Sequence, residues 1–196
     1  MKRLFLSACL FLSAAVAAPN ALAQDDFSDF SMKGMGNDID PFAMSCRQYA
    51  ALNPETRNLV TAYLEGYSAE GSSTVFVSGA VKNFEAGILA ACAKSPAKPL
   101  DDVLDIVQYD VPEGGGELRC SDLNGFSSRN DVVRAMLWTQ GYLESELAEN
   151  EEADQNQGVH LDTFREDVAA VLEQCRNSSS DPTLIDVTRK IIMGEE

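Results

Sequence analysis

Residues 89–100 read LAACAKSPAKPL and residues 172–184 read LEQCRNSSSDPTL, so a Leu three residues before a Cys and a Pro seven residues after it recur 83 positions apart. A pattern written twice at that distance constrains the fold more than any single motif, because each copy must supply a supersecondary unit of its own. The correspondence extends outward. Cys46 is followed by Tyr63-Leu64-Glu65-Gly66-Tyr67, and Cys120 by Trp138-Thr139-Gln140-Gly141-Tyr142, so that an aromatic-x-x-Gly-Tyr element places its Gly 20 or 21 residues after the first Cys of each copy. Val81, Ile88 and Leu89 stand 11, 4 and 3 residues before Cys92, and Phe164, Val171 and Leu172 stand at the same offsets before Cys175. The second copy carries an insertion of eight residues around ENEEADQNQG, a composition that suits a surface loop.

Both copies read as helices. Asn53 and Pro54 make an N-cap and first-position pair, followed by Leu59, Ala62, Tyr63, Gly66 and Tyr67 on one face. The second copy starts its equivalent near Ser128, with Val133, Leu137, Trp138, Gly141 and Tyr142. A further helix carries Val81, Phe84, Ile88 and Cys92, or Phe164, Val168, Val171 and Cys175, and Thr163-x-x-Glu166 has the capping-box pattern. A last helix is expected to begin at the repeated proline, Pro99 or Pro182. The fold class is therefore all-α: two tandem helical units of about four helices each.

The boundaries follow from composition. Residues 1–23 carry Lys2 and Arg3, an apolar run and Ala21-Leu22-Ala23, the signature of a signal peptide for export. A lipoprotein box with Cys9 lipidated is the lesser alternative. Residues 24–42 mix acids, glycines and scattered aromatics without period and read as a disordered acidic lead-in. Unit 1 spans 43–110, the Pro- and Gly-rich stretch 111–116 is a linker, and unit 2 spans 117–196.

Without residues 1–23 the chain keeps four cysteines, Cys46, Cys92, Cys120 and Cys175, in an oxidising compartment, so two disulfides are expected. Four cysteines allow three pairings; the duplicated offsets favour Cys46 with Cys92 and Cys120 with Cys175. The same mature chain carries 13 basic against 31 acidic side chains, a formal charge of -18. That argues against nucleic acid or anionic lipid as partners, and no stretch after residue 23 is apolar enough to span a membrane.

Side chains that could carry catalysis are sparse. His160 is the single histidine, without a nucleophile motif beside it, and reads as a surface residue. Asp154-x-Asn156-x-Gly158 misplaces the glycine of a calcium loop, and Gly114-Gly115-Gly116 lacks the Lys-Ser/Thr of a phosphate loop. No enzyme activity and no cofactor or metal is expected. Trp138 and Tyr142, spaced i to i+4, fit a helix core better than a partner-binding face.

The residues Ser45-Cys46-Arg47-Gln48-Tyr49 and Ile88-Leu89-Ala90-Ala91-Cys92-Ala93-Lys94, with Arg119-Cys120-Ser121-Asp122-Leu123 and Val171-Leu172-Glu173-Gln174-Cys175, give each unit a sequence that resembles the HdeA-type acid-stress chaperones. That family consists of small periplasmic helical proteins, each with one disulfide, dimeric and inactive towards clients near neutral pH. In strong acid they dissociate, partly unfold and coat denatured proteins. The resemblance implies bridges within each unit and an ATP-independent holdase for unfolded or acid-denatured periplasmic proteins. It also implies an intramolecular pseudo-dimer, or else a homo-oligomer. The side chains nominated as interface or client-binding are Tyr63, Tyr67, Trp138, Tyr142, Val81, Phe84, Ile88, Phe164, Val168 and Val171. A constitutive periplasmic interaction module without acid response is the alternative. Below about pH 3 most carboxylates are protonated, which would leave a charge of about +15 and a repulsion favouring expansion.

Overall fold

A computed structural model describes residues 27–69, 75–107, 116–149 and 158–193. The expected signal peptide, Cys9, linker residues 111–115 and insertion residues 150–157 lie outside the described residues. The described chain is mostly helical, and none of its helices is long and apolar enough to cross a membrane.

The first half runs through α1 (Cys46–Ala51), α2 (Pro54–Ser68), β2 (Val75–Phe76), α3 (Ser78–Lys94) and α4 (Asp101–Leu104). The second runs through a 3-10 turn (Cys120–Gly125), α5 (Arg129–Glu149), β4 (Val159–His160), α6 (Leu161–Asn177) and α7 (Leu184–Met193). Two further strands precede these sets, β1 (Asp38–Ile39) and β3 (Gly116–Glu117).

Local chemistry accounts for most starts. Asn53 caps α2 by accepting the Thr56 amide proton at 3.0 Å, with Pro54 in the first turn, where its missing N–H costs nothing. Ser45 and Gln48 close a reciprocal capping box on α1. The expected capping box at Thr163 does not form: α6 already starts at Leu161, and its N-cap His160 makes no side-chain cap bond. The β4 pairing, not a side chain, sets that start, because the Leu161 amide donates to the Asn37 carbonyl at 2.8 Å.

The disulfides join Cys46 to Cys92 and Cys120 to Cys175, with Cα–Cα distances of 5.0 and 5.2 Å. Beside each, the segment beyond α3 or α6 returns to the first Cys. The Cys46 amide donates to the Lys98 carbonyl at 2.9 Å, and the Cys120 amide to the Pro182 carbonyl at 3.0 Å. Isolated bridges pair Ser45 with Pro99 and Arg119 with Thr183. The repeated prolines are thus one residue out of register, and neither opens a helix: α4 starts at Asp101 and α7 at Leu184. The carbonyl and amide groups that the chain must satisfy at the disulfide fix that register, and proline has no N–H to contribute.

Residues 27–42 correct the expectation of a disordered lead-in. Phe27, Phe30, Met32 and Ile39 are buried in the core. Phe30 packs on Phe164 of α6 at 5.8 Å between centroids, and its carbonyl accepts from Arg165 Nε at 2.6 Å. Arg129 lies over the Phe27 ring at 4.7 Å. These apolar residues follow neither helical nor strand spacing because the surface that receives them belongs to helices about a hundred residues further along.

The strands cross between the halves. β1, ahead of the first half, pairs antiparallel with β4 of the second; β3, at the end of the presumed linker, pairs antiparallel with β2 of the first. Gly116 therefore belongs to a strand and not to the linker. A core of buried side chains continues from α2 and α3 into α5, α6 and α7, so neither half encloses its apolar surface alone.

Candidate functional site

The aromatic-x-x-Gly-Tyr elements meet each other where α2 crosses α5. A Cβ on Gly66 would stand closer than 3.0 Å to the Trp138 carbonyl, and one on Gly141 closer than 3.0 Å to the Tyr63 carbonyl. Each glycine thus lies against the carbonyl of the aromatic residue that opens the other copy of the motif. Only hydrogen fits between the two backbones, which lets the helices approach closely and bury their flanking aromatics.

Every residue from Leu59 to Gly66 is buried, so the middle of α2 has no water-facing side. Trp138 is fully buried and Tyr63 nearly so; at about 150–250 Å² each, their burial corresponds to roughly 4–6 kcal/mol apiece as an upper estimate. Trp138 stacks on Tyr142 at 5.7 Å and meets Phe76 edge-on at 5.8 Å. On the opposite side Phe42 meets Tyr67 at 4.8 Å and Tyr63 at 6.1 Å.

Two carboxylates accept hydrogen bonds across this crossing. Trp138 Nε1 donates to Glu65, which is 3 % exposed, and the Tyr63 hydroxyl donates to Glu144. Gln140 Nε2 and the Gly158 amide also donate to Glu144, at 2.8 and 3.2 Å. Burial pushes the Glu144 carboxyl above its usual range despite those donors. Burial, with the Glu144 charge beside it, raises the Tyr63 phenol far above its ordinary value. Because the folded state favours protonated Glu144, this group stabilises the fold less as pH rises through its raised pKa and more as pH falls. Trp138→Phe, which removes the indole donor from the buried Glu65 carboxylate, is expected to cost about 1–3 kcal/mol in a urea-melt comparison with the parent.

Of the ten nominated side chains, Tyr67 alone is partly exposed; Tyr63, Trp138, Tyr142, Val81, Phe84, Ile88, Phe164, Val168 and Val171 are all buried. Tyr63, Tyr67, Trp138 and Tyr142 come together at the crossing. Val81 joins the Trp138 cluster, while Phe84, Ile88, Phe164, Val168 and Val171 line the main core. None forms a preformed binding face in the folded chain. His160 is exposed, with Nδ1 2.6 Å from Asp38 Oδ1 across the β1–β4 pairing. No group of three or more His, Cys, Asp or Glu positioned to hold a metal ion occurs among the described residues. Glu65 and Glu144 were not singled out from sequence. The signal in the sequence was Glu65, a carboxylate placed beside the Gly of the motif.

The family model of the HdeA/HdeB family matches residues 5–102, half of the chain. The chain belongs to the HdeA/HdeB family. The match takes in Cys46, Cys92 and the start of α4, and ends before the second half. No curated protein and no solved structure matches the chain. The HdeA/HdeB family is one of periplasmic acid-stress chaperones that bind unfolded client proteins, which directs attention to the buried apolar faces and to what uncovers them.

Proposed function

We propose that this HdeA/HdeB family member is a periplasmic, ATP-independent holdase that binds unfolded proteins once acid loosens its packing. Residues 43–110 and 117–196 act in this reading as two divergent copies of the family unit, and their crossing replaces a dimer interface. The observation that carries it is the burial of nine of the ten nominated apolar and aromatic side chains. A chaperone with such a surface has to open before it can bind.

The physics of opening is supplied by charge. The formal charge moves from -18 for the mature chain towards about +15 in strong acid, and like-charge repulsion then favours expansion. The two disulfides close loops with sequence separations of 46 and 55, which limits expansion to a loosened state with the apolar faces still tethered.

Light scattering of an aggregating client at pH 2 and pH 7 tests the proposal. Suppression confined to pH 2 is the expected outcome. Equal suppression at both values removes the acid switch. Absence of suppression at both favours a constitutive interaction module, for which Ile106 (69 %) and Ile192 (40 %) are the exposed large apolar side chains among the described residues.

A further inference from the structure

The two halves hold equivalent junctions with different chemistry. Ahead of α1, the Ser45 amide donates to Gln48 Oε1 at 2.8 Å; at the corresponding place before the 3-10 turn, the Arg119 amide donates to Asp122 Oδ2 at 2.8 Å. At the start of α2, Asn53 Nδ2 donates to Thr56 Oγ1 at 2.8 Å. At the start of α5 the same positions are Ser128 and Asp131, and the Asp131 carboxylate accepts from the Ser128 and Ser127 hydroxyls at 2.9 and 3.0 Å, with Arg134 at 3.2 Å.

The third junction ties the residue after the first Cys to the loop beyond α3 or α6. The Arg47 amide donates to the Pro96 carbonyl at 2.9 Å. The Ser121 amide and hydroxyl both donate to the Asp181 carboxylate at 2.8 Å, and Arg119 Nη1 donates to the Asp181 carbonyl at 2.9 Å. At all three places the first half uses a neutral acceptor and the second a carboxylate.

We infer that acid releases the second half before the first, so that unfolded clients are received by the apolar faces of α6 and α7, carried by Phe164, Val168, Val171, Leu184 and Val187. The order of release rests on the junction chemistry; the identity of the occupant rests on the holdase reading above.

The sign follows from the carboxylates. Partial burial alone would raise Asp131, but the hydrogen bonds from Ser128 and Ser127 and the Arg134 charge outweigh it and hold the group below its usual range. The Ser121 amide and hydroxyl, with Arg119 beside them, lower Asp181. A lowered folded pKa contributes stability that is present above the unfolded value of about 3.9 and is lost as pH falls through the folded value. The amide and hydroxyl acceptors of the first half have no proton to gain in that window.

Two groups on neighbouring elements act in the other sense. Glu144, facing Tyr63 of α2, Gln140 on its own helix and His160 of β4, is raised by burial; Asp167 on α6 is raised by burial and by Glu166. Their protonation in acid relieves a cost, so the crossing of α2 and α5 stays closed while the junctions around it loosen. The contacts of Gly66 and Gly141 themselves are with backbone atoms of the facing helix.

Peptide-resolved hydrogen exchange on the disulfide-intact mature protein, in steps from pH 6.5 to 2.5 and corrected for intrinsic rates, tests the order. Peptides of the 3-10 turn, α6 and α7 are expected to lose at least about tenfold more protection near pH 3 than those of α1 and α3. Simultaneous loss, or loss from α1 and α3 first, overturns the inference. The variant D131T, which imports the first half's residue at that junction, is expected to narrow the gap. Should it fail to fold, the reciprocal T56D is expected to make the start of α2 acid-labile, and an unchanged order there also overturns the inference. Adding acid-denatured lactate dehydrogenase at pH 2.5 reads the surface: new protection on α6 and α7 is expected. Protection on α3 and α4 instead overturns the surface assignment. Protection nowhere overturns the holdase reading together with that assignment, while the order of release is still decided by the client-free arm.

Discussion

Replacing Gly66 or Gly141 by alanine is expected to lower the unfolding free energy by about 3 kcal/mol or more for each, a large part of what a domain of this size possesses. A Cβ at either position would stand closer than 3.0 Å to a main-chain carbonyl, Trp138 for one and Tyr63 for the other. No rotamer change can relieve a clash with backbone, so α2 and α5 must separate. Separation loosens the packing of Trp138, Tyr63, Tyr142 and Phe76 together. Because each glycine bears on the other helix's motif, the double variant is expected to cost less than the sum, since one separation relieves both contacts. Gly125, where an added Cβ would meet nothing within 4 Å, is the control: G125A is expected to change stability little. Urea midpoints followed by far-UV circular dichroism at pH 7 check the set, and a G66A midpoint matching G125A would remove the glycine contact as the determinant of the crossing.

Loss of either disulfide is expected to cost about 4 kcal/mol on the chain-entropy account, for loops with sequence separations of 46 and 55. The consequence differs with pH. At neutral pH the paired Cys-to-Ser variants C46S/C92S and C120S/C175S are expected to stay folded with lowered urea midpoints, since the helix crossing and exchanged strands remain. As pH falls through the lowered values of Asp131 and Asp181 their contribution is lost, and near pH 2 C120S/C175S is expected to unfold fully where the parent only loosens. The measurement is the far-UV helical signal at pH 2 with and without each bridge. Equal helix content in both variants and the parent would mean that the bridges do not limit expansion.

Much of the local structure was legible in the residues. Asn53-Pro54 announced the start of α2 because a capping side chain and a proline act on the nearest turn alone. The cysteine offsets announced which pairs could bond, since the same spacing on either side of a helix demands the same closure. The all-helical content followed from apolar periodicity. The neutral and acidic versions of the junctions were also present as Gln48 against Asp122 and Thr56 against Asp131, though only the hydrogen bonds of the folded chain make them equivalent.

Other features had no local signal. Phe27, Phe30 and Met32 looked like scattered apolar residues in an acidic tail; burial against α6 and α5, about a hundred residues away, gives them a place in the core. The repeated prolines invited one register, and the backbone bonds at the disulfides chose another, one residue off. Glu65 resembled a solvated charge until a second helix covered the side of α2 on which it lies.

By itself the amino-acid order determined the helical segments, the cap of α2, the two covalent closures and the membership of each residue in one of two similar sets, because those properties depend on neighbours within a few turns or on cysteine spacing. The tertiary structure decided how the sets engage: the glycine contact of α2 with α5, the strands exchanged between halves, and the docking of residues 27–42. Those contacts join positions about 40 to 135 residues apart, and their energy exists only when both surfaces are already built, so no local pattern of residues can announce them.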